Sequence, residues 1–414
     1  MSIKKVDVIL FIAVLLVLIS PVVVRFFFNK VTDTHIGNVN KHIDLFLSSR
    51  CEELLGKEMT ETLLNEFNRQ NPDLLIQLSD NSNDREPDIF IFDNGEYSTL
   101  VARETLEELN SFTNYKTDTR QLAIPLVSFM DLLFYNIDIL TAVGFDRPPR
   151  TREEFLAYAR TVSGSNDELL AKVSGAAISL SPADKQALSR DVFSWIWAAG
   201  GDFWSTEDEP SLNARAISGD ISFLGRLYRE NALAPGIYYT TGDQRLEEFA
   251  QGRIAMMISS TRAIPSLRER MGDDKFGITT IPGSDSGGKY NIGISSIYAG
   301  LNVNSENHDE AWRFLEFLAE RSPFFCEVFK AVPGIVSDII PASYTINDMF
   351  YSKAMDIFEA SEIIQGFSGK PGAEKYETAF LEELQSFFES NRTAQETVST
   401  IQQRWRQIDE NRAY

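Results

Sequence analysis

Cysteine and histidine are nearly absent from this chain, with two Cys and three His in 414 residues. Cys51 and Cys326 lie far apart and in no metal-ligand spacing. They read as one disulfide formed outside the cytoplasm or, more plainly, as two semi-buried thiols. His35 and His42 fall in or beside a polar stretch, His308 opens a surface helix, and no H-E-x-x-H occurs. No metal site or cofactor is therefore expected. A G-x-S-x-G elbow is missing, as is a G-x-G-x-x-G after a strand. Basic charge is also scarce: 39 Lys and Arg face 60 Asp and Glu, for a net charge of -21. Nothing here could neutralise a run of phosphates, which excludes nucleic acid as a partner. Internal repeats and long low-complexity linkers are absent too.

One stretch imitates a phosphate loop. GSDSGGKY, residues 283 to 290, fits G-x-x-x-x-G-K after a strand. A true loop needs Ser or Thr next, for magnesium, and then a helix. Tyr290 takes that place and extended chain follows, so the stretch reads as a Gly-rich turn.

Length and apolar content are plentiful. The chain is too long for one ordinary core, 43% of it is hydrophobic, and its 29 Phe can fill two. At the N-terminus Val8 to Val24 forms an uncharged run of 17 residues, flanked by Lys4, Lys5 and the FFF of 26 to 28. That run is at the short end for crossing a bilayer. No A-x-A-like cleavage site and no lipid-accepting Cys follow it. Residues 1–30 thus read as an uncleaved signal anchor, a transmembrane helix. Residues 31–42 read as a spacer, and the remainder lies on the outer face of the cytoplasmic membrane.

Apolar patterning then alternates strand and helix. HIDLFLSS, DLLIQLS, PDIFIF, LAIPLVSF, LLFYN, GAAISL, IAMMIS, KFGITTIP and SSIYAGLNV read as strands. Between them lie the helical stretches KEMTETLLNEFNRQNP, STLVARETLEEL, TREEFLAYAR, RAISGDISFLGRLYRE, QRLEEFAQGR and HDEAWRFLEFLAER. Three more helices close the chain. Thr151 with Glu154, and Thr393 with Glu396, have capping-box spacing. The alternation predicts two α/β lobes with largely parallel sheets, joined by the chain crossing between them.

WIWAAGGDFW, residues 195 to 204, holds three of the five Trp. Trp195 and Trp197 lie two apart on a helix, so they cannot share a face. One belongs in the core and the other is free to reach a ligand, while the Gly-Gly pair ends the helix. With no catalytic constellation, such aromatics suit a cleft that binds a solute. Rings stack on sugar C–H faces, and Asp, Asn, Arg and main-chain groups take the hydroxyls.

The order of segments resembles a known family, the extracellular solute-binding proteins of bacterial ABC importers, of the maltose- and oligosaccharide-binding type. PDIFIFDNGEY with ETLEELNSF carries the resemblance, followed by AIPLVSFMDLLFYNIDILTAVGFDRPPRTREEFLAYA. WIWAAGGDFW, FAQGRIAMMISSTRAI, FGITTIPG and HDEAWRFLEFLAE complete it. Arg152 stands where the family usually has Trp. The resemblance implies a two-lobed periplasmic-binding-protein-like (type II) fold with several interlobe crossovers. Its first lobe would take 43–128 and 288–338, and its second 129–287 and 339–414. It further implies a cleft lined by Phe92, Asp93, Asn94, Arg262, Tyr290, Asn291, Gly293 and Phe367, with Trp195 or Trp197 as further contacts. Arg262 stands where the family presents an aromatic, and could pair with a carboxylate or phosphate.

A tethered, monomeric solute-binding protein follows, delivering a sugar or oligosaccharide to an ABC permease without catalysis. A tethered sensor passing occupancy to a membrane partner is the alternative. A glycoside hydrolase is a third, although no carboxylate pair stands out among the 60 acids.

Overall fold

The computed structural model describes residues 41–79, 86–109, 121–204, 210–212, 214–283, 290–334 and 347–411. The expected anchor, almost all of the spacer and most of the GSDSGGKY stretch lie outside the described residues. Among the described residues no helix is long and apolar enough to cross a membrane.

The chain opens with β1 (Lys41–Leu47), α1 (Ser49–Gln70), β2 (Leu74–Leu78), β3 (Ile89–Asp93) and α2 (Asn94–Ala102). Next come β4 (Ile124–Asn136), α3 (Ile137–Ala142), α4 (Arg152–Ser163), β5 (Ser174–Ala177) and α5 (Lys185–Leu188). A π-helical turn, Ser189–Phe193, leads into α6 (Ser194–Ala198), α7 (Ala214–Arg229) and α8 (Gly242–Ala250). Then follow β6 (Ile254–Ser260), α9 (Ile264–Met271), β7 (Phe276–Thr279), β8 (Tyr290–Leu301), α10 (His308–Glu320) and α11 (Ser322–Phe329). The chain ends with β9 (Val332–Pro333), α12 (Met349–Glu359), β10 (Ser361–Ile364), α13 (Ala373–Glu389) and α14 (Ala394–Glu410).

Local signals explain many boundaries. Thr393 and Glu396 form the expected reciprocal box at α14. At α4 only half of the expected box forms. Thr151 accepts from the Glu154 N–H, but the Glu154 carboxylate turns away to Arg147 and the Arg150 N–H. The guanidinium outcompetes a single backbone donor for that carboxylate. Gly200, at a φ of 82°, ends α6, and the N–H groups of Gly200 and Gly201 cap its last carbonyls. The helix expected from Ser98 to Leu109 instead runs Asn94–Ala102, because Asp93 caps it earlier, accepting from the Gly95 and Glu96 N–H groups.

The sheet is mixed, which corrects the expectation of largely parallel sheets. Its order is β2-β1-β3-β8-β4-β6-β5, with β10 on β8 and with β7 and β9 on β4. Parallel pairs are β1–β2, β1–β3, β5–β6 and β8–β10, whereas β8 and β4 run antiparallel to each other and β4 runs antiparallel to β6. The chain returns between its halves along these strands, so the centre of the sheet cannot be all parallel.

The same two strands tie the halves together. β4 was expected as two strands, yet it is one of 13 residues. Its first part, to Met130, pairs with β8; from Asp131 onward it pairs with β6, and from Leu133 with β7. β8 pairs with β3 and β4 from Ile294 onward, while Tyr290 to Gly293 pair with β10. Two apolar cores flank this junction. One gathers Ile43, Phe67, Ile89, Phe134, Phe314 and Leu318, and the other Phe155, Phe193, Trp195, Leu224, Phe380 and Trp405. Cys51 and Cys326 are both free and buried in the first core, where burial pushes each thiol up to about 12. They act as small apolar side chains, and the disulfide reading is dropped.

Candidate functional site

The junction where β4 changes partner is also where polar groups collect. Asp131 is the first residue of β4 to leave β8 for β6. It is 8% exposed, and among the described residues its carboxylate is acted on by the charges of Arg190 and Asp191 and by no hydrogen bond. Burial pushes its pKa up to about 7, against the opposing pull of Arg190 and with a further push from Asp191. Arg190 and Asp191 sit on the π-helical turn. Such turns insert a residue into helical geometry and occur often at functional sites. Arg190 Nε donates to Asp191 Oδ1 at 2.8 Å, and the Ser179 N–H donates to Asp191 Oδ2 at 2.6 Å. Arg190 Nη2 is buried without a partner among the described residues. Asp184 closes the cluster, accepting from the Gly242 N–H at 2.7 Å.

Trp197 wedges this cluster against the crossover. A Cβ at Gly293 would lie 2.6 Å from its ring and 3.5 Å from Asp131 Oδ2. A Cβ at Gly366, just beyond β10, would also meet the indole at 2.6 Å. Both glycines are present because the ring comes too close for any side chain.

The opposite side is built from β3 and α1. Asp93 Oδ1 caps α2, and Oδ2 lies 3.5 Å from Arg50 Nη1. Arg50 also donates to Gln186 Oε1 on α5, across from its own helix. Two more contacts join the sides: Ser98 Oγ donates to the Phe367 carbonyl at 3.0 Å, and the Tyr298 and Ser368 hydroxyls meet at 3.0 Å. Arg262 is exposed on a short turn after β6, and the Cys51 thiol feels its charge together with those of Asp93 and Glu96. The two sides are therefore drawn together around the junction.

The ten residues expected to touch a ligand divide sharply. Asp93, Arg262 and Gly293 lie at the junction, and Trp197 packs against it although its ring is buried. Tyr290 is 52% exposed at the outer end of β8, with Asn291 half-buried beside it. Phe92, Trp195 and Phe367 are corrected to core residues. Phe92 stacks on Tyr298, Trp195 packs between Phe155 and Phe223, and Phe367 lies among Phe193, Phe203 and Trp405. Asn94 is spent on the β8 backbone, accepting from the Ser296 N–H at 2.6 Å. Asp131, Arg190, Arg50 and Gln186 were missed. Asp131 had a signal, as the single acid in the apolar run LVSFMDLLFYN. Arg190 had none, because its role depends on the π turn.

Two surface cavities lie elsewhere. One of about 410 Å³ is lined by Arg152, Asp220, Phe223 and Arg226, and one of about 570 Å³ by α13 and α14. Neither includes a junction residue. Among the described residues no group of three His, Cys, Asp or Glu could hold a metal ion.

Comparison with known proteins agrees with this architecture. The chain is 20% identical over 206 residues to a protein of Brucella abortus (strain 2308) described as a binding protein, covering 49% of this chain and 48% of that one. It spans about half the length of the curated relatives it matches. Solved structures match far more of it. An ABC transporter solute-binding protein from Thermotoga lettingae, bound with α-D-tagatose, is 17% identical and superposes with a TM-score of 0.70 over 89% of this chain and 99% of that one. UgpB from Mycobacterium tuberculosis, in complex with glycerophosphocholine, is 17% identical with a TM-score of 0.70 over 90% and 99%. An ABC substrate-binding protein from Listeria monocytogenes, in complex with cycloalternan, is 14% identical with a TM-score of 0.67 over 91% and 100%. These likenesses establish the type II periplasmic-binding fold. The model of the family described as bacterial extracellular solute-binding protein matches residues 66–322, more than half of the chain. This chain belongs to that family.

Proposed function

We propose that this protein captures a carbohydrate or related small solute between its two lobes and hands it to an ABC importer. The lobes are 43–128 with 288–338, and 129–287 with 339–414. The hydrophobic run in residues 1–30 would hold it to the outer face of the cytoplasmic membrane. The observation that carries this reading is the exchange of partners midway along β4 and β8, with Asp131, Arg190, Asp93 and Arg262 gathered at the exchange. Strands that switch sheets form a hinge, and a polar cluster at a hinge is where closure encloses a solute. The named ligands of the Thermotoga and Listeria relatives, tagatose and cycloalternan, support a carbohydrate. Permease capture follows because closure changes the outer face of both lobes, giving a partner two states to distinguish. The role needs no bond-making step.

The test is a thermal-shift screen of the full chain in detergent against monosaccharides, oligosaccharides, amines and phosphorylated compounds. A stabilising solute recovered unchanged after incubation supports the reading. Absence of any stabilising solute, or the appearance of cleaved product from an oligosaccharide, overturns it.

A further inference from the structure

The junction distributes its charges unevenly, and the unevenness names a chemical class of solute. Arg190 is committed to Asp191 through Nε at 2.8 Å. The other oxygen of Asp191 takes the Ser179 N–H, and Asp184 takes the N–H groups of Ala187 and Gly242. Across the junction Arg50 lies against Asp93. Asp131 is left over. It is more than nine-tenths buried, and among the described residues it feels the charges of Arg190 and Asp191 but receives no hydrogen bond. Its Oδ2 lies beside Gly293, 3.5 Å from where a Cβ would stand, with the Trp197 ring packed against the same glycine.

A buried carboxylate without a donor is costly, and a ligand that supplies one is favoured. A neutral hydroxyl would supply a hydrogen bond but leave the charge balanced only by Arg190, which Asp191 shares. A cation supplies both. An anion would instead meet Asp131, Asp184 and Asp191 together, with one guanidinium already paired. We propose that the solute bound at the junction carries a protonated amine that pairs with the Asp131 carboxylate. This rests on the solute-binding reading above and narrows it to amine-bearing solutes, amino sugars first among them. Arg190 Nη2, buried and unpartnered, then takes a hydroxyl or ring oxygen of the same molecule.

The test is calorimetric titration of the full chain in detergent. The probes are glucosamine and its oligomers, their N-acetylated counterparts, glucose oligomers, choline and putrescine. The expected result is that an amine-bearing probe binds about tenfold or more tighter than its neutral counterpart. Asp131→Asn should abolish that preference, so that amine-bearing and neutral probes bind alike. Asn has the shape of Asp without its charge, and a melting temperature at or above that of the parent shows that the variant folds. If neutral saccharides bind equally or better, or if Asp131→Asn keeps the amine preference, the amine proposal falls and the solute-binding reading stands. If no probe of any class binds, both fall together.

Discussion

Two buried carboxylates of this molecule have opposite surroundings. Asp220 lies in the second core, where Arg152 Nη1 donates to it at 2.6 Å; the two side chains are 4% and 12% exposed. The same guanidinium lies 5.1 Å from the Phe223 ring centroid, 6.0 Å from that of Trp195, and donates to the Trp195 carbonyl within α6. One cation therefore staples α4, α6 and α7 together. Asp131, at the junction, has no such partner. Burial raises both acids, Asp220 to about 6 and Asp131 to about 7, and Arg152 holds Asp220 back more effectively than Arg190 holds Asp131. A finished ion pair belongs to architecture, and an unfinished one waits for something to complete it.

The comparison can be broken at its strongest point first. Arg152→Ala strands a buried carboxylate and removes the staple, so it should cost about 3–5 kcal/mol of unfolding free energy. Denaturant unfolding would measure the loss, and a variant as stable as the parent would refute the structural role of the pair. Solute affinity per folded molecule should not change.

Gly293→Ala drives a methyl group into the Trp197 ring, where a Cβ has only 2.6 Å. Overpacking of this kind costs about 1–3 kcal/mol. It should also weaken solute binding, because the displaced atoms border Asp131. Loss of stability with unchanged affinity, measured on the same sample, would detach Trp197 from the site.

Asp131→Asn should act with the opposite sign to Arg152→Ala. The folded-state pKa of Asp131 is raised above its unfolded value, so the folded form holds its proton longer. Its presence therefore costs nothing below the ordinary carboxylate range. The cost appears as the pH rises from about 4 towards 7, and is full above that. The Asn variant should match the parent at low pH and exceed it by roughly 1–3 kcal/mol at pH 8, without solute. Melting curves taken across that window check the sign, and a variant less stable than the parent at pH 8 would contradict it.

The smallest effect is expected at Arg50, whose side chain is half exposed. Arg50→Ala should change stability by less than about 1 kcal/mol. It should nevertheless shift the lobes apart, since Arg50 reaches Gln186 across the junction. Small-angle scattering without solute would show a larger radius of gyration, and an unchanged radius would remove Arg50 from the contacts that draw the lobes together.

Much of the architecture was legible beforehand, and for local reasons. The continuous run PDIFIF makes a strand buried on both faces, and Thr393 with Glu396 closes a box wherever it stands, because its bonds join near neighbours. Thr151 with Glu154 fell short for the converse reason: a residue outside the motif, Arg147, offered Glu154 a stronger partner. The candidate site was half legible. Asp93 and Arg262 follow from their place after strands of a resembling order. Phe92, Trp195 and Phe367 were misplaced because an aromatic side chain serves a core and a cleft equally well, and sequence spacing does not tell them apart.

By itself the sequence determined the alternation of strands and helices, the helix ends at Gly200 and Thr393, the acidic surface and the family. Each depends on residues within a turn or two of one another, or on their order. Tertiary structure decided which residues face the junction. Asp131 and Gly293 are 162 positions apart, counting from 131 to 293, and approach only because β4 and β8 run antiparallel and then part. Whether a buried charge finds a partner is settled by that approach, since compensation requires a donor within hydrogen-bond reach in space rather than in sequence.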